Sequence, residues 1–497
     1  MKKANPNQLQ AAIIMALCVI FAALCCGMYA QDDAKMPLAL RRFMHRQALQ
    51  GASVAFLAKE VGTGATLYSY DAGRKLTPAS VAKTVTTATA LEILGADYRY
   101  ETVIQYDGKI ANAVLNGNIY IRGSGDPTTC SAEFKSAGDS IIRLWVAAVR
   151  AAGIATINGN IIADESIFDT EGVSMKWLRE DLGSNYGQGS YGINIFDNMF
   201  ALYVNSGAAG SRPTLDHTSP EMSRIKFFNY LTTKPIEADS FYITGFPYSD
   251  ERYLYGVVRP NREQIKIEGD IPDPPLAAAQ YFLKSLENNG ITVKGKATNC
   301  RMMKESGEWN DSGRTTLTTT TSPPLSDIIR VVNNVSHNMF ADALIKTLGL
   351  RYSPKPEEVI SSFERGVKVV AEFWQGRGVD VSLLTLYDGS GLAASDKATA
   401  NFLCDMHIYM AKESKNSATY LNSLPRAGYD GTVRTFLMRT KLAGSRLKSG
   451  SMTGVQCYAG YIETNGKQYA IALMINNFSG KNRSIRVAIE EMLLSLF

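Results

Sequence analysis

Histidine and cysteine are scarce in this sequence. Its 497 residues include 4 histidines and 7 cysteines. No His-x-x-x-His pair and no Cys-x-x-Cys pair occurs, so the common ligand patterns of a zinc site are missing. There is also no Gly-x-Ser-x-Gly segment and no phosphate-binding Walker loop. These absences disfavour a metal-dependent hydrolase and an α/β-hydrolase, and we expect neither a metal nor any other cofactor.

An excess of charge of one sign is also missing. The chain has 52 basic and 47 acidic residues, a net charge of +5, which gives no electrostatic reason to expect nucleic acid as a partner. Apolar residues make up 45% and charged residues 20%, the profile of a soluble globular protein. At roughly 100–200 residues per domain, the length predicts two to four domains.

Long uncharged runs are absent except near the N-terminus. A charge-free run from about residue 11 to residue 28 follows Met1-Lys2-Lys3, and Ala30 precedes a polar stretch. This order is typical of a secretory signal, so we predict a signal peptide over residues 1–30 and a location in the periplasm or cell envelope. An uncleaved membrane anchor is the main alternative, and a lipid-modified Cys25 or Cys26 is a lesser one.

Four cysteines would remain after cleavage: Cys130, Cys300, Cys404 and Cys457. They are too scattered in so long a chain to indicate a disulfide framework, although export would permit disulfides. The sequence leaves both disulfides and buried free thiols open.

Secondary-structure signals divide the chain into unlike parts. The first and last parts mix strands with amphipathic helices, whereas residues 101–323 are mainly strand-like and rich in turn residues. Asn-Gly pairs at 116–117 and 465–466 predict tight turns. We therefore predict an α/β unit interrupted by a long insertion. Its expected elements are a hairpin over 52–70, a helix from Pro78 to Gly95, helices from Leu325, over 338–348 and over 357–374, a hairpin over 455–475, and a closing helix over 482–496.

A serine nucleophile with a lysine base fits a sequence with so little histidine. Ser-x-x-Lys occurs at residues 80–83, 223–226 and 445–448, and about two matches are expected by chance in a chain of this size. Only Ser80 opens a predicted helix, where Lys83 lies on the same helix face and the helix dipole favours a developing anion. Ser80 on its own would more often be a simple N-cap.

Two further motifs follow along the chain. Ser336-His337-Asn338 lies between two apolar helical patterns, whereas Ser414-Lys415-Asn416 lies in a charged run that we expect to face solvent. Lys448-Ser449-Gly450 occurs once and continues through Ser451 into the predicted hairpin. A strand edge with glycine can approach a substrate backbone closely.

The order Ser80-x-x-Lys83, Ser336-x-Asn338, Lys448-Ser449-Gly450 resembles that of the penicillin-recognising serine enzymes. The first two motifs are 256 positions apart and the last two 112, a spacing similar to that of the class C low-molecular-mass penicillin-binding proteins. Segments 122–128, 388–392, 430–432 and 454–461 resemble further family segments. Ser449 replaces the usual threonine, and Ala393-Ala394 replaces a common Ser-Arg pair, so a role for that arginine is in doubt here.

The resemblance implies an α/β (α+β) fold with a discontinuous penicillin-binding, serine β-lactamase-like transpeptidase domain and two nested, mainly β inserted domains. We expect the catalytic domain over 31–100 and 324–497, inserted domain II over 101–170 and 282–323, and inserted domain III over 171–281.

The resemblance also implies roles for the motif residues. Ser80 would be the nucleophile, Lys83 its base, Ser336 a proton relay, and Asn338 a ligand of Lys83 and of the substrate amide. Lys448, Ser449, Gly450 and Ser451 would form the edge that binds the terminal carboxylate, and the amides of Ser80 and Ser451 would form the oxyanion hole. We assign no role to His337, whose side chain should point away from the site.

The expected activity is that of a serine D-alanyl-D-alanine carboxypeptidase or endopeptidase acting on peptidoglycan stem peptides through an acyl-enzyme. β-Lactams would be covalent inhibitors. The alternatives are a protein of the same fold that binds penicillin or peptidoglycan with little turnover, and a β-lactamase or esterase, which the long insertion disfavours. The sequence does not determine the oligomeric state or the balance between carboxypeptidase and endopeptidase action.

Overall fold

The computed structural model describes residues 36–497, and the predicted signal peptide lies outside the described residues. Within that range, no helix combines the length and apolar character needed to span a bilayer. The strands are β1 (Ser53–Glu60), β2 (Thr66–Tyr70), β3 (Glu101–Tyr106), β4 (Lys109–Ala111), β5 (Val114–Asn116), β6 (Ile119–Arg122), β7 (Thr156–Ile157), β8 (Ile161–Asp164), β9 (Met199–Ser206), β10 (Thr214–Ser219), β11 (Lys226–Thr233), β12 (Ser240–Thr244), β13 (Glu251–Val258), β14 (Arg262–Asp270), β15 (Thr292–Val293), β16 (Ala297–Asn299), β17 (Thr315–Thr321), β18 (Arg446–Met452), β19 (Val455–Thr464) and β20 (Lys467–Asn476).

The helices are α1 (Leu38–Met44), α2 (Ala82–Leu94), α3 (Lys135–Ala151), α4 (Pro274–Asn288), α5 (Cys300–Glu305), α6 (Leu325–Val335), α7 (Asn338–Gly349), α8 (Ser362–Gly376), α9 (Ala400–Lys412), α10 (Ser417–Ser423) and α11 (Asn482–Leu496). The predicted N-terminal hairpin, the helix ending at Gly95, the C-terminal hairpin and the closing helix are all present. Helix α8 begins later than predicted, because the Ser361 hydroxyl accepts from the Glu364 amide and the Glu364 carboxylate accepts from the Ser361 amide.

One antiparallel sheet joins the two ends of the chain. Its strand order is β18-β19-β20-β1-β2, so the first strand of the chain pairs directly with the last one, β20. Successive side chains of a strand point to opposite faces, and β1 therefore contributes to two apolar cores. Ala55 and Leu57 pack with helices α2 and α6–α9, and Val54 and Phe56 pack with α1 and α11. Strand β18, which contains the Lys-Ser-Gly motif, lies at the edge of this sheet as predicted.

The middle of the chain has a core of its own. The buried residues of this core all lie between Ile104 and Ile291. The chain leaves the central unit at Tyr100 and returns at Ser322, and the Tyr100 amide donates to Ser322 Oγ at 2.9 Å. Four further sheets of three to five strands make up this part, with orders β10-β9-β14, β11-β13-β12, β15-β7-β5-β4 and β16-β8-β6-β3-β17. The two inserted domains and their limits stay predictions.

The Asn-Gly pairs at 116–117 and 465–466 have different structures. Asn465-Gly466 joins β19 to β20 as a tight hairpin, with φ of +51° and +71°. Strands β5 and β6, on either side of Asn116-Gly117, belong to different sheets and do not pair. The predicted turn at 116–117 therefore does not close a hairpin between these strands.

Candidate active site

Ser80 lies at the start of the helical segment that leads into α2. The residues Ala79–Val81 form a single 3₁₀ turn, and α2 follows directly. Ala79 has a φ of +47°, a left-handed conformation that is uncommon for a residue with a side chain. The turn places Ser80 at the surface of a cleft, and Lys83 one turn later is fully buried. Lys83 Nζ donates to Ser80 Oγ at 3.0 Å.

The Lys83 ammonium is held by two further acceptors. Its Nζ donates to Asn338 Oδ1 and to the Ser390 carbonyl, each at 2.6 Å. Burial lowers the pKa of Lys83 from 10.5 to about 8, and the carboxylates of Asp342 and Asp388 oppose that change. With a pKa near 8, about a tenth of the Lys83 side chains are neutral at pH 7, far more than for an ordinary lysine, and a general base must be neutral.

The Ser-x-Asn motif occupies the junction between α6 and α7. Ser336 caps the end of α6 with a left-handed φ of +64°, and Asn338 is the first residue of α7. This sharp turn directs the Asn338 amide to two partners: its Oδ1 accepts from Lys83, and its Nδ2 donates to the Tyr186 carbonyl at 2.7 Å. Ser336 Oγ instead accepts from Lys448 Nζ at 2.9 Å.

Edge strand β18 closes the site from the other side. A Cβ placed on Gly450 would lie 2.6 Å from the Pro78 carbonyl oxygen and 3.0 Å from the Ser80 amide nitrogen, so only glycine permits this approach. Lys448 is fully buried, and its pKa is lowered well below 10.5 by burial and by the nearby charge of Lys83. Ser449 Oγ shares a hydrogen bond of 2.7 Å with Thr432 Oγ1, and Ser451 Oγ accepts from Asn482 Nδ2 at 2.9 Å.

The eight predicted residues therefore lie together. A cleft of about 530 Å³ is lined by the hydroxyl-bearing members Ser80, Ser336, Ser449 and Ser451. Lys83 donates to Ser80, Lys448 donates to Ser336, and Asn338 accepts from Lys83. Gly450 packs beside Ser80. The other residues that line the cleft are Thr432, Gln456, Tyr458, Asn482, Arg483 and Arg486.

The other motif matches lie elsewhere. Ser223 is exposed just before β11, and Ser445 Oγ donates to the Leu442 carbonyl at 2.8 Å. The prediction that the Ser414-Lys415-Asn416 segment faces solvent is wrong for its first residue. Ser414 is 9% exposed because its hydroxyl and the Asn416 side chain both bond to the Glu92 carboxylate on α2. His337 points away from the site as expected, with Nε2 3.6 Å from Asp197 Oδ1.

Sequence reasoning missed several neighbours of these residues. The sequence predicts no role for segment 388–392, but its Ser390 carbonyl contacts Lys83. The Asp388 carboxylate holds this turn by accepting from the amides of Ser390, Gly391 and Ala393. It also accepts from Trp177 Nε1 of the insertion at 2.8 Å. The insertion therefore contacts the turn that supplies an acceptor to Lys83. No local sequence pattern indicates that Trp177 and Asp388, so far apart in the chain, form a hydrogen bond.

Replacing Trp177 with phenylalanine should destabilise the protein. The indole N–H is the one donor to Asp388 that comes from the insertion among the bonds described, and the pair is buried. Leaving a buried acceptor with one donor fewer costs about 1–3 kcal/mol, which denaturant unfolding would measure. In an Asp388→Asn background the same change should cost less, because the partner is already altered. An equal loss of unfolding free energy in both backgrounds would contradict a direct interaction between Trp177 and Asp388.

Comparisons with known proteins agree with this architecture. Residues 38–495 match the D-Ala-D-Ala carboxypeptidase 3 (S13) family. A D-alanyl-D-alanine carboxypeptidase of Actinomadura sp. (strain R39) is 27% identical over 456 residues, covering 87% of this chain and 79% of that protein. The D-alanyl-D-alanine carboxypeptidase DacB of Haemophilus influenzae is 24% identical over 435 residues, covering 86% of each chain.

A solved structure shows the same fold. Penicillin-binding protein 4 of Haemophilus influenzae superposes with a TM-score of 0.78 at 23% identity, covering 92% of this chain and 98% of the other. The mixed α/β fold is thus that of the penicillin-binding proteins. The chain belongs to the D-Ala-D-Ala carboxypeptidase 3 (S13) family of serine peptidases.

Proposed function

We propose that this protein is a serine D-alanyl-D-alanine carboxypeptidase that can also act as an endopeptidase on peptidoglycan cross-links. The observation that supports this most strongly is the buried Lys83 amine, 3.0 Å from the hydroxyl of Ser80 in an open cleft. That pair supplies a nucleophile and a base without histidine. Membership of the S13 family and the named activity of the relatives support the same substrate class.

In the proposed acylation step, neutral Lys83 takes the proton of Ser80 as Oγ attacks the carbonyl carbon of the penultimate D-Ala. The carbonyl oxygen becomes an oxyanion between the amides of Ser80 and Ser451. The close approach of Gly450 to the Ser80 amide supports this arrangement. One such donor contributes about 2.7–4 kcal/mol to the transition state.

Collapse of the intermediate breaks the amide C–N bond and leaves an ester on Ser80. The proton that Lys83 took from Ser80 is proposed to reach the departing amine through Ser336, which accepts a hydrogen bond from Lys448, and Lys83 is neutral again. Asn338 keeps Lys83 directed at Ser80 and is proposed to bond the substrate amide. Lys448 with the hydroxyls of Ser449 and Ser451 is proposed to bind the terminal carboxylate. Water then hydrolyses the ester. With a β-lactam, the same attack would break the ring amide C–N bond and leave the opened antibiotic as an ester on Ser80 that is hydrolysed slowly.

Labelling with a fluorescent penicillin, followed by a D-Ala release assay, tests the proposal. We expect covalent label on the protein and release of D-Ala from a stem pentapeptide. A protein without label would contradict the serine-enzyme mechanism. Label without D-Ala release would favour a binding protein with little turnover, and rapid loss of label with hydrolysed penicillin would favour a β-lactamase.

The rate of acylation should rise with pH through about 8. Burial lowers the Lys83 pKa to about 8, and only the neutral amine can accept the Ser80 proton. The active fraction is therefore small below that pH and nearly complete above pH 9. Stopped-flow acylation by a chromogenic cephalosporin between pH 6 and 10 would measure this profile. A rate that is flat across this range would contradict a lysine base with this pKa.

We further propose that the protein works in the periplasm or cell envelope, where peptidoglycan lies, after removal of residues 1–30. The charge-free run that follows Met1-Lys2-Lys3 supports this proposal. N-terminal sequencing of protein recovered from the native host should find Gln31 first. An intact Met1 in that material would favour an uncleaved anchor.

A further inference from the structure

The proposed catalytic cleft continues past Ser451 to a pair of arginines. Arg483 and Arg486 lie in the first turns of α11 and line the same cleft as Ser80 and Ser449. Asn482, the residue before Arg483, donates to Ser451 Oγ at 2.9 Å. This bond fixes the start of α11 against the strand edge that is proposed to bind the terminal carboxylate. The arginines therefore lie on the leaving-group side of the proposed scissile bond.

Arg486 is held in place by the other wall of the cleft. Its Nη1 donates to Thr435 Oγ1 at 3.1 Å, in the same segment as Thr432, which bonds to Ser449. Its Nε is buried and has no hydrogen-bond acceptor in residues 36–497. A buried guanidinium nitrogen without an acceptor costs free energy, and Arg41, Arg301, Arg314 and Arg365 have the same feature. The fold thus positions the Arg486 guanidinium but provides hydrogen-bond acceptors for only some of its N–H groups.

The two cations are not paired with carboxylates of the described residues, and Glu490, one helical turn after Arg486, accepts from the Leu437 amide instead. In the described part of the chain, neither guanidinium forms an ion pair with a carboxylate, although other arginines do so, as with Arg426 and Asp430. Arg483 is exposed, and its side chain forms no hydrogen bond to another described residue. Two planar guanidinium groups in an open cleft match a carboxylate, which they can bind in a bidentate manner.

We propose that Arg483 and Arg486 form a leaving-group subsite for a second carboxylate, one that a single terminal D-Ala does not have. The proposal rests on the serine-peptidase function proposed above. A leaving amine that is itself part of a peptide, as in a peptidoglycan cross-link, has such further carboxylates. The subsite would therefore favour cleavage of cross-links over removal of a terminal D-Ala.

The subsite acts on one step of the reaction. As the Ser80 ester forms and the amide C–N bond breaks, the amine leaves with its proton and its carboxylates. The acyl-enzyme that remains no longer contacts the arginines, so deacylation should not depend on them. Their effect should appear in kcat/KM, which includes the steps through acylation, and not in the rate of ester hydrolysis.

Matched synthetic substrates test the inference. The three substrates share one acetylated peptide ending in D-Ala as acyl donor. They differ in the leaving group, which is D-Ala, D-2-aminoadipate, or D-2-aminoadipate with its side-chain carboxylate converted to an amide. We expect wild type to favour the aminoadipate substrate over its neutral amide by about fivefold in kcat/KM, the size expected for a partly exposed ion pair. Changing both arginines to glutamine should bring that ratio close to one. Higher ionic strength should reduce it in wild type.

Two controls separate charge from folding. Lys467→Gln removes one positive charge at the far end of the β19–β20 hairpin and should keep the wild-type ratio. Arg486→Lys retains the charge and should keep most of the preference even if Arg486→Gln folds poorly. An equal preference in wild type and the double glutamine variant would overturn the inference, as would a wild-type ratio of one. The D-Ala substrate reports separately on the proposed function, because its turnover does not require the second carboxylate.

Discussion

Replacing Ser80 with alanine is expected to abolish both penicillin labelling and D-Ala release. Ser80 Oγ is the hydroxyl that Lys83 contacts at 3.0 Å, and without it no ester can form. Loss of the nucleophile in a serine peptidase reduces kcat by about 10⁶-fold, which is below detection in most assays. Intact-protein mass after exposure to a β-lactam would show the unmodified mass. The fold should persist, because Ser80 Oγ has no other contact than Lys83 among the bonds described.

Ser223→Ala is the matched control for this experiment. Ser223 also begins a Ser-x-x-Lys match, but it is exposed and lies before β11 in the insertion. Labelling and turnover should equal those of wild type. Full labelling of Ser80→Ala, or loss of labelling in Ser223→Ala, would mean that another serine is the nucleophile.

Replacing Lys83 with methionine or with arginine is expected to reduce the acylation rate by about 10²- to 10⁴-fold, the contribution of a positioned general base. Methionine removes the amine, whereas arginine retains a positive charge that is never lost at accessible pH. A similar loss in both variants would show that a neutral amine is needed and not simply a cation. The rate of acylation by a chromogenic cephalosporin measures this directly. Near wild-type acylation in Lys83→Arg would contradict the base role.

Lys346 provides a closely matched control. It is also a buried lysine, its pKa is also lowered to about 8 by burial, and it also donates to two carbonyls, those of Glu171 and Ser190. It lies on α7 where the insertion packs and does not line the cleft. Lys346→Met should lower the free energy of unfolding, because two buried carbonyls lose their donor, while folded protein still acylates. Loss of acylation in the folded Lys346→Met protein would point to a wider role for buried lysines.

The contacts of Lys83 show where sequence reasoning ends. The order and spacing of the motifs predicted that Ser80, Lys83, Asn338 and Lys448 share one site, because motifs made of side chains can be recognised in a sequence. The acceptor at Ser390 is a backbone carbonyl, which every residue has, so nothing in the sequence distinguishes it. Helix α9 was not predicted, since it is buried on most sides and its apolar residues do not form a single stripe.

The insertion illustrates the same limit at a larger scale. The sequence indicated that residues 101–323 differ from their surroundings, but not that they contact the site. In the structure Trp177 bonds to Asp388 and the Tyr186 carbonyl bonds to Asn338, across 211 and 152 positions of the chain. Such contacts depend on how two separately folded cores pack together. The insertion is thus part of the support of the site and not only an attachment to it.

The sequence by itself determined the order and spacing of the three motifs, and with them the family and the expected chemistry. Tertiary structure decided what surrounds those motifs. It also decided the structure around the Asn-Gly pairs at 116–117 and 465–466. Asn465-Gly466 closes a hairpin because β19 and β20 pair along their length within one sheet. The same dipeptide at 116–117 joins strands that pair with different partners, β4 and β7 on one side, β3 and β8 on the other. A local signal permits a turn, and long-range pairing determines whether the flanking strands form a hairpin.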